Sequence, residues 1–143
     1  MPTPFPHHYE VVLERDGSTA RLSSSEHPVI VGGAPPQFGG EPRLWSPEEL
    51  LLASVSTCVL TTFQVYAAKE RIPIGIYRCV AEATLDRTRV GLAFTRIVLR
   101  VDLTVAASDV ERVEKVLQLA KRDCIISNTL NLPVELDSTV QAA

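Results

Sequence analysis

The spacing of apolar residues changes character repeatedly along this chain, and each change marks a predicted element. Residues 8–14 and 18–24 flank the turn Arg15-Asp16-Gly17, a pattern that predicts a hairpin, and residues 27–31 add a third short strand. Residues 32–45 (GGAPPQFGGEPRLW) then gather glycine and proline into a long loop, and loops of that length are often functional. Ser46-Pro47-Glu48-Glu49 follows with a capping serine, a proline at the first helical position and a glutamate three residues after the cap. No glycine or proline interrupts the helix it opens until Pro73, so the helix can run about 25 residues, roughly 37 Å. Apolar residues surround this helix on most sides, which predicts burial on several faces rather than one.

Beyond Pro73 the period drops to two. Residues 74–86 set Tyr77, Cys79, Ala81, Ala83 and Leu85 against Arg78, Glu82 and Thr84. Residues 92–105 set Ile97, Leu99, Val101, Leu103 and Val105 against Arg96, Arg100, Asp102 and Thr104. A turn near residues 88–91 joins them into a long antiparallel ribbon. Ser108 and Glu111 have the spacing of a second capping box, after which Val110, Val113, Leu117, Ala120 and Cys124 recur on one helical face and turn Cys124 inward. A last strand over residues 134–140 completes a segregated α+β protein, read as one domain over residues 1–143 with residues 1–7 as a loose arm. A chain of this size has too few other elements to cover its long apolar helix, so a twofold homodimer is expected from burial alone.

Composition narrows the function. A net charge of −3, with basic residues scattered rather than massed, gives no footprint for nucleic acid. The apolar stretch at residues 50–69 carries Ser54, Ser56, Thr57, Thr61, Thr62 and Gln64, which favours a core helix over a membrane span. The N-terminal MPTPFPHHYE has neither the basic start nor the apolar run of a secretory signal, so a cytoplasmic location is expected. Three cysteines in such a setting argue against a structural disulfide framework and leave either inert packing or redox chemistry. Cys58 in mid-helix is by itself more often packing, and Cys124 is a second inward thiol at the end of a helix. Cys79, on the inward face of a strand beside Tyr77, reads as packing. His7 and His8 lack a third ligand at metal spacing, and the paired glycines form no phosphate loop, so neither a metal nor a cofactor is expected. Phe38, Trp45 and Phe63 could line an apolar mouth, although core packing is the better reading of any one of them.

The run SPEELLLASVSTC, the run CIISN, in which serine and asparagine stand three and four residues after the cysteine, and the glycine-rich PPQFGG resemble the motifs of the OsmC and Ohr family. The order of hairpin, helix, ribbon, helix and strand agrees, and the likeness covers nearly the whole chain. It implies an intertwined homodimer with paired central helices wrapped by antiparallel sheets. It further implies a thiol peroxidase acting on organic hydroperoxides, with hydrogen peroxide as a further oxidant. In such an enzyme Cys58 becomes a sulfenic acid, Cys124 condenses with it to a disulfide, and a dithiol reductant, often of the lipoyl type, restores both thiols.

The resemblance also calls for an arginine beside the thiolate. Arg15 in RDG matches the Ohr pattern locally, while Arg21 and Arg43 remain alternatives and Arg43 is closer to the OsmC pattern. Glu48 matches the motif glutamate that holds this arginine, and it also suits the first turn of a helix on electrostatic grounds. Ten residues of helix separate it from Cys58 by about 15 Å, so its help would come across a dimer interface or through a long arginine. A reading of another class is a non-catalytic OsmC-like dimer that binds an apolar small molecule at the subunit interface. A structural dimer without any ligand is the third.

Overall fold

The computed structural model describes residues 3–143, so the first two residues of the expected arm lie outside it. The chain divides into two compact units, with the boundary between Leu50 and Leu51.

The first unit is a meander of strands β1 (Val12–Asp16), β2 (Thr19–Ser23) and β3 (Ile30–Gly32). Asp16 pairs with Thr19, which leaves Gly17-Ser18 as a two-residue turn, and Gly17 supplies the positive φ of 61° that its first position requires. The turn thus lies about one residue later than the sequence pattern suggested, and the third strand is shifted toward the glycines. The loop after β3 is well organised. Pro36–Phe38 form a 3-10 turn closed by Gly39 in the left-handed region, and a Cβ on Gly40 would collide with the Ala34 carbonyl. A bridge between Gly32 and Trp45 pins the two ends of the loop together. Every buried apolar side chain among the described residues lies at Val55 or later, whereas Leu13 is 63% exposed and Val11 66% exposed. No side chain of this small sheet is therefore fully buried, although most of β2 is half-buried.

Helix α1 (Pro47–Lys69) begins as its cap predicts, with the Glu49 amide donating to Ser46 Oγ at 3.1 Å and the Leu50 amide donating to Ser46 O at 2.9 Å. Its burial differs from the expectation. Val55, Val59, Phe63 and Ala67 form one fully covered stripe, while Val65 is 54% exposed and Leu60 only half-buried. By length and composition α1 could also cross a membrane; its Ser56, Thr61 and Thr62 hydroxyls bond back to its own carbonyls, as polar groups in an apolar helix must.

In the second unit that stripe joins one core with a three-stranded sheet and a second helix. Strands β4 (Tyr77–Thr88) and β5 (Gly91–Val105) form the expected antiparallel ribbon. Helix α2 (Val110–Arg122) then carries the chain back so that β6 (Val134–Ala142) lies parallel to β5, a pairing that needs such a crossover. Alternate residues of β5 from Ile97 to Val105 meet Val113, Leu117 and Ala120 of α2 in the core. Arg100 spans Glu82 and Asp137 across the opposite, solvated face, and Arg96 pairs with Glu135.

Two details depart from the sequence pattern. A 3-10 turn over Ala107–Asp109 precedes α2, whose N-cap is Asp109 with its side chain paired to Arg112 rather than to a helix amide, so Ser108 and Glu111 form no capping box. A further short helix, α3 (Ile125–Thr129), follows α2 directly. Leu99 is 0% exposed at the centre of this core, so Leu99→Ala is expected to cost about 2–5 kcal/mol in denaturant unfolding. Val90→Ala, at a position 94% exposed, is expected to change stability by less than about 0.5 kcal/mol.

Candidate active site

The end of α2 and the start of α3 are built around Cys124. Asp123 closes α2, its amide bonding to Leu119 O at 3.0 Å, and Cys124 is the N-cap of α3. A helix start leaves its first amides without partners in the helix itself. Here they turn to sulfur. The Ser127 amide donates to Cys124 Sγ at 3.5 Å, and the amides of Ile126 and Ile125 are near enough to Cys58 to favour its ionisation.

Cys58 comes to this place from α1, half-buried between Val55 and Val59 on a helix face that packs against the core. Thr62, one turn further on, bonds to the Cys58 carbonyl at 2.8 Å and keeps its hydroxyl within reach of the thiol. The Cys124 thiol is a hydrogen-bond neighbour of the Cys58 sulfur. Both cysteines, and Cys79, are free thiols.

The two sulfurs ionise differently. Burial pushes the Cys58 thiol up, but the Ile126 amide, the Cys124 thiol, the Ile125 amide and the Thr62 hydroxyl outweigh it and bring its pKa below the ordinary thiol value. Burial pushes Cys124 up, Ser127 offsets part of that, and the negative charge on Cys58 adds to the rise. Ionisation is thus easier at Cys58 than at Cys124. Those lowering groups are dipoles, whereas the sequence reading gave the task to an arginine. Cys79 is raised by burial alone.

The remaining candidates lie in the first unit. Arg15 is exposed, and its Nε donates to Gly17 O at 2.9 Å, closing the hairpin turn. Arg21 stands opposite Glu14 and so projects from the other face of the strand pair than Arg15, which stands opposite Ala20. Arg43 is exposed and paired with Glu41 at 2.9 Å. Glu48 has a buried carboxylate oxygen, Oε2, with no hydrogen-bond partner. Phe38 and Trp45 are about half exposed, and Phe63, in the second unit, is a core residue whose ring is tilted against that of Tyr77 with centroids 5.9 Å apart.

Sequence reasoning missed Thr62, the Ile125 and Ile126 amides, and a hydrogen bond from the Tyr66 hydroxyl to Asp123. The spacing of Cys58, Thr62 and Tyr66 at i, i+4 and i+8 could have revealed two of them. The amides have no signal in residue type.

A long apolar helix and a β-ribbon with a crossover helix, bringing a mid-helix thiol to a thiol at a helix cap, define a two-cysteine α+β protein. The chain belongs to the OsmC-like protein family, whose model matches residues 39–139. It is 25% identical over 130 residues to the Peroxiredoxin OsmC of Escherichia coli (strain K12), covering 91% of this chain and 90% of that one. An OsmC-like protein of unknown function from Vibrio cholerae superposes with a TM-score of 0.85 at 20% identity, covering 94% of this chain and all 100% of the other. An organic hydroperoxide resistance protein from Elizabethkingia anophelis superposes with a TM-score of 0.79 at 16% identity, covering 97% and 100%. These likenesses establish the α+β fold of the single chain that the sequence motifs implied, with the correction that its second sheet is mixed because β6 runs parallel to β5.

Iodoacetamide should distinguish the sulfurs. Its rate of reaction with Cys58 is expected to rise with pH through a midpoint below that of an ordinary thiol, with Cys124 and Cys79 titrating above it, read by peptide mass spectrometry across a pH series. A Cys58 midpoint at or above that of Cys79 would contradict the site described.

Proposed function

We propose that this protein is a cytoplasmic thiol peroxidase that reduces organic hydroperoxides through Cys58 and Cys124. The observation that carries the reading is the Cys124 thiol set against a Cys58 sulfur whose ionisation is favoured. The Cys58 thiolate attacks one peroxide oxygen, the O–O bond breaks, and the departing alkoxide takes a proton and leaves as the alcohol. Cys58 is thereby oxidised to a sulfenic acid. Cys124 then attacks the Cys58 sulfur, the S–O bond breaks, water leaves, and a disulfide joins the two residues. An external dithiol, such as one of the lipoyl type, reduces that disulfide by two successive exchanges and is itself oxidised to a disulfide.

The thiolate fraction sets the rate of the first step, and amide donors act here as they do toward developing anions elsewhere. The relatives named above support the chemistry: one is called a peroxiredoxin and another an organic hydroperoxide resistance protein.

We assign the working form as a homodimer. The exposed apolar residues of β1 and the outer side of α1 need cover that a second copy would provide. Glu48 and Arg15 take the supporting roles that the resemblance gives them, with Arg15 orienting the peroxide and Glu48 holding Arg15. A buried carboxylate oxygen without a partner is costly, which favours an incoming cation at Glu48.

Turnover of cumene hydroperoxide with dihydrolipoamide tests the reading. Cys58→Ser is expected to abolish peroxide consumption, and Cys124→Ser to permit one oxidation without dithiol-driven turnover. Undiminished activity in Cys58→Ser would refute the assignment. Light scattering should give twice the chain mass of 15.7 kDa, and a monomer at micromolar concentration would contradict the dimer.

A further inference from the structure

We propose that Tyr66 and Asp123 are positioning residues: their hydrogen bond ties α1 to the α2–α3 turn and so holds the amides of α3 and the Cys124 sulfur against Cys58. The proposal concerns how the reacting pair is kept together, and its kinetic consequence rests on the peroxidase reading above.

The geometry supports it from both sides. Cys58, Thr62 and Tyr66 form one row along α1, so the helix that presents the first sulfur also presents the phenol. Asp123 immediately precedes Cys124 and accepts the Tyr66 hydroxyl on Oδ2. The other bonds around this turn are internal to it: Asp123 N to Leu119 O at 3.0 Å, Cys124 N to Lys121 O at 3.4 Å, and Asn128 Nδ2 to Arg122 O at 3.1 Å. They shape the turn but do not fix it to α1. Apart from the groups that face the Cys58 sulfur itself, the Tyr66 to Asp123 bond is, among the described residues, the one side-chain hydrogen bond that does so.

The clamp is also held in its bonding form. Arg122 grips the Asp123 carboxylate with two bonds, from Nε at 2.7 Å and from its terminal nitrogen at 2.8 Å, and fixes its plane. With the Arg122 and Tyr66 donors beside it, Asp123 has its pKa lowered to about 2, so it is an acceptor at any ordinary pH. Its charge in turn raises the Tyr66 pKa and keeps the phenol a donor. Lys69 lies over the Tyr66 ring at 5.4 Å from the centroid.

Loss of the clamp would let the turn drift, and Cys58 would lose donors before any contact in the core changed. Thiol attack on a sulfenic acid depends steeply on approach, so a loosened Cys124 would also resolve the oxidised Cys58 more slowly.

Tyr66→Phe keeps the ring and removes only the donor, which makes it the test. In a folded variant, Cys58 alkylation at neutral pH is expected to slow by about threefold to tenfold, the worth of one net hydrogen bond. The midpoint of its pH profile should move up accordingly. After a pulse of cumene hydroperoxide, trapping of the Cys58 sulfenic acid by a cyclic diketone should increase. Asp123→Ala should reproduce both effects, and the double variant should add nothing to either. Asp123→Asn, which retains an acceptor oxygen, should recover much of the wild-type profile. Alkylation and trapping unchanged in folded Tyr66→Phe, or fully additive effects in the double variant, would overturn the clamp. Should Tyr66→Phe fail to fold, Asp123→Ala against Asp123→Asn decides by the same readouts. Alkylation requires no turnover, so it judges the clamp even if the wild-type protein consumes no peroxide.

Discussion

The head of α3 supplies three amide hydrogens that no carbonyl of their own helix can accept: that of Ser127 goes to the Cys124 sulfur, and those of Ile126 and Ile125 favour ionisation of Cys58. That exchange is the constraint on which the rest of the second unit depends. It requires α2 to stop at Arg122, the chain to turn within Asp123 and Cys124, and α1 to pass close enough for two of the amides to favour the Cys58 thiolate. The crossover from β5 through α2 to β6 anchors the turn from behind, since Val113, Leu117 and Ala120 are fixed in the same core as the strands. The stripe on α1 anchors it from the front. Cys58 lies next to that stripe rather than in it, so it is fixed by packing yet still half accessible.

From this follows an asymmetry between chemically identical side chains. Both sulfurs are penalised by burial, and only one receives enough donors to overcome the penalty. The other is held above the ordinary thiol value. A nucleophile needs charge, and the residue that later attacks it benefits from being withheld until the first has reacted. One short helix thus gives the two sulfurs different ionisation, which the proposed roles of attack and resolution would use. Neutral dipoles also leave the site open to a substrate-orienting arginine, which would act on the peroxide rather than on the sulfur.

Much of this was legible in the sequence because it depends on period and on capping. Ser46-Pro47-Glu48-Glu49 marks the start of α1 to the residue, and the alternation from Ile97 to Val105 marks the buried face of β5. Cys124 was placed inward by helical spacing, and it is fully buried. Other features depend on tertiary context and left no pattern. The parallel pairing of β6 is set by where α2 returns the chain, and nothing in residues 134–140 distinguishes parallel from antiparallel. α3 is too short for a periodic signal, and its decisive groups are backbone amides. The even apolar cover of α1 suggested a helix enclosed on all sides, yet within one chain only the row from Val55 to Ala67 is enclosed. The same evenness is what a helix needs if its other side meets a second copy. The apolar residues of β1 carry the same message, as a small sheet without a fully buried side chain does not stand alone.

The central claim is that the two sulfurs meet and react with one another. Treatment of the reduced protein with one equivalent of cumene hydroperoxide, followed by digestion without reductant and mass spectrometry, tests it directly. The account predicts a single cross-linked peptide pair containing Cys58 and Cys124, lighter than the sum of the free peptides by two hydrogens. Recovery of both peptides unlinked, or a cross-link that joins either cysteine to Cys79, would contradict it.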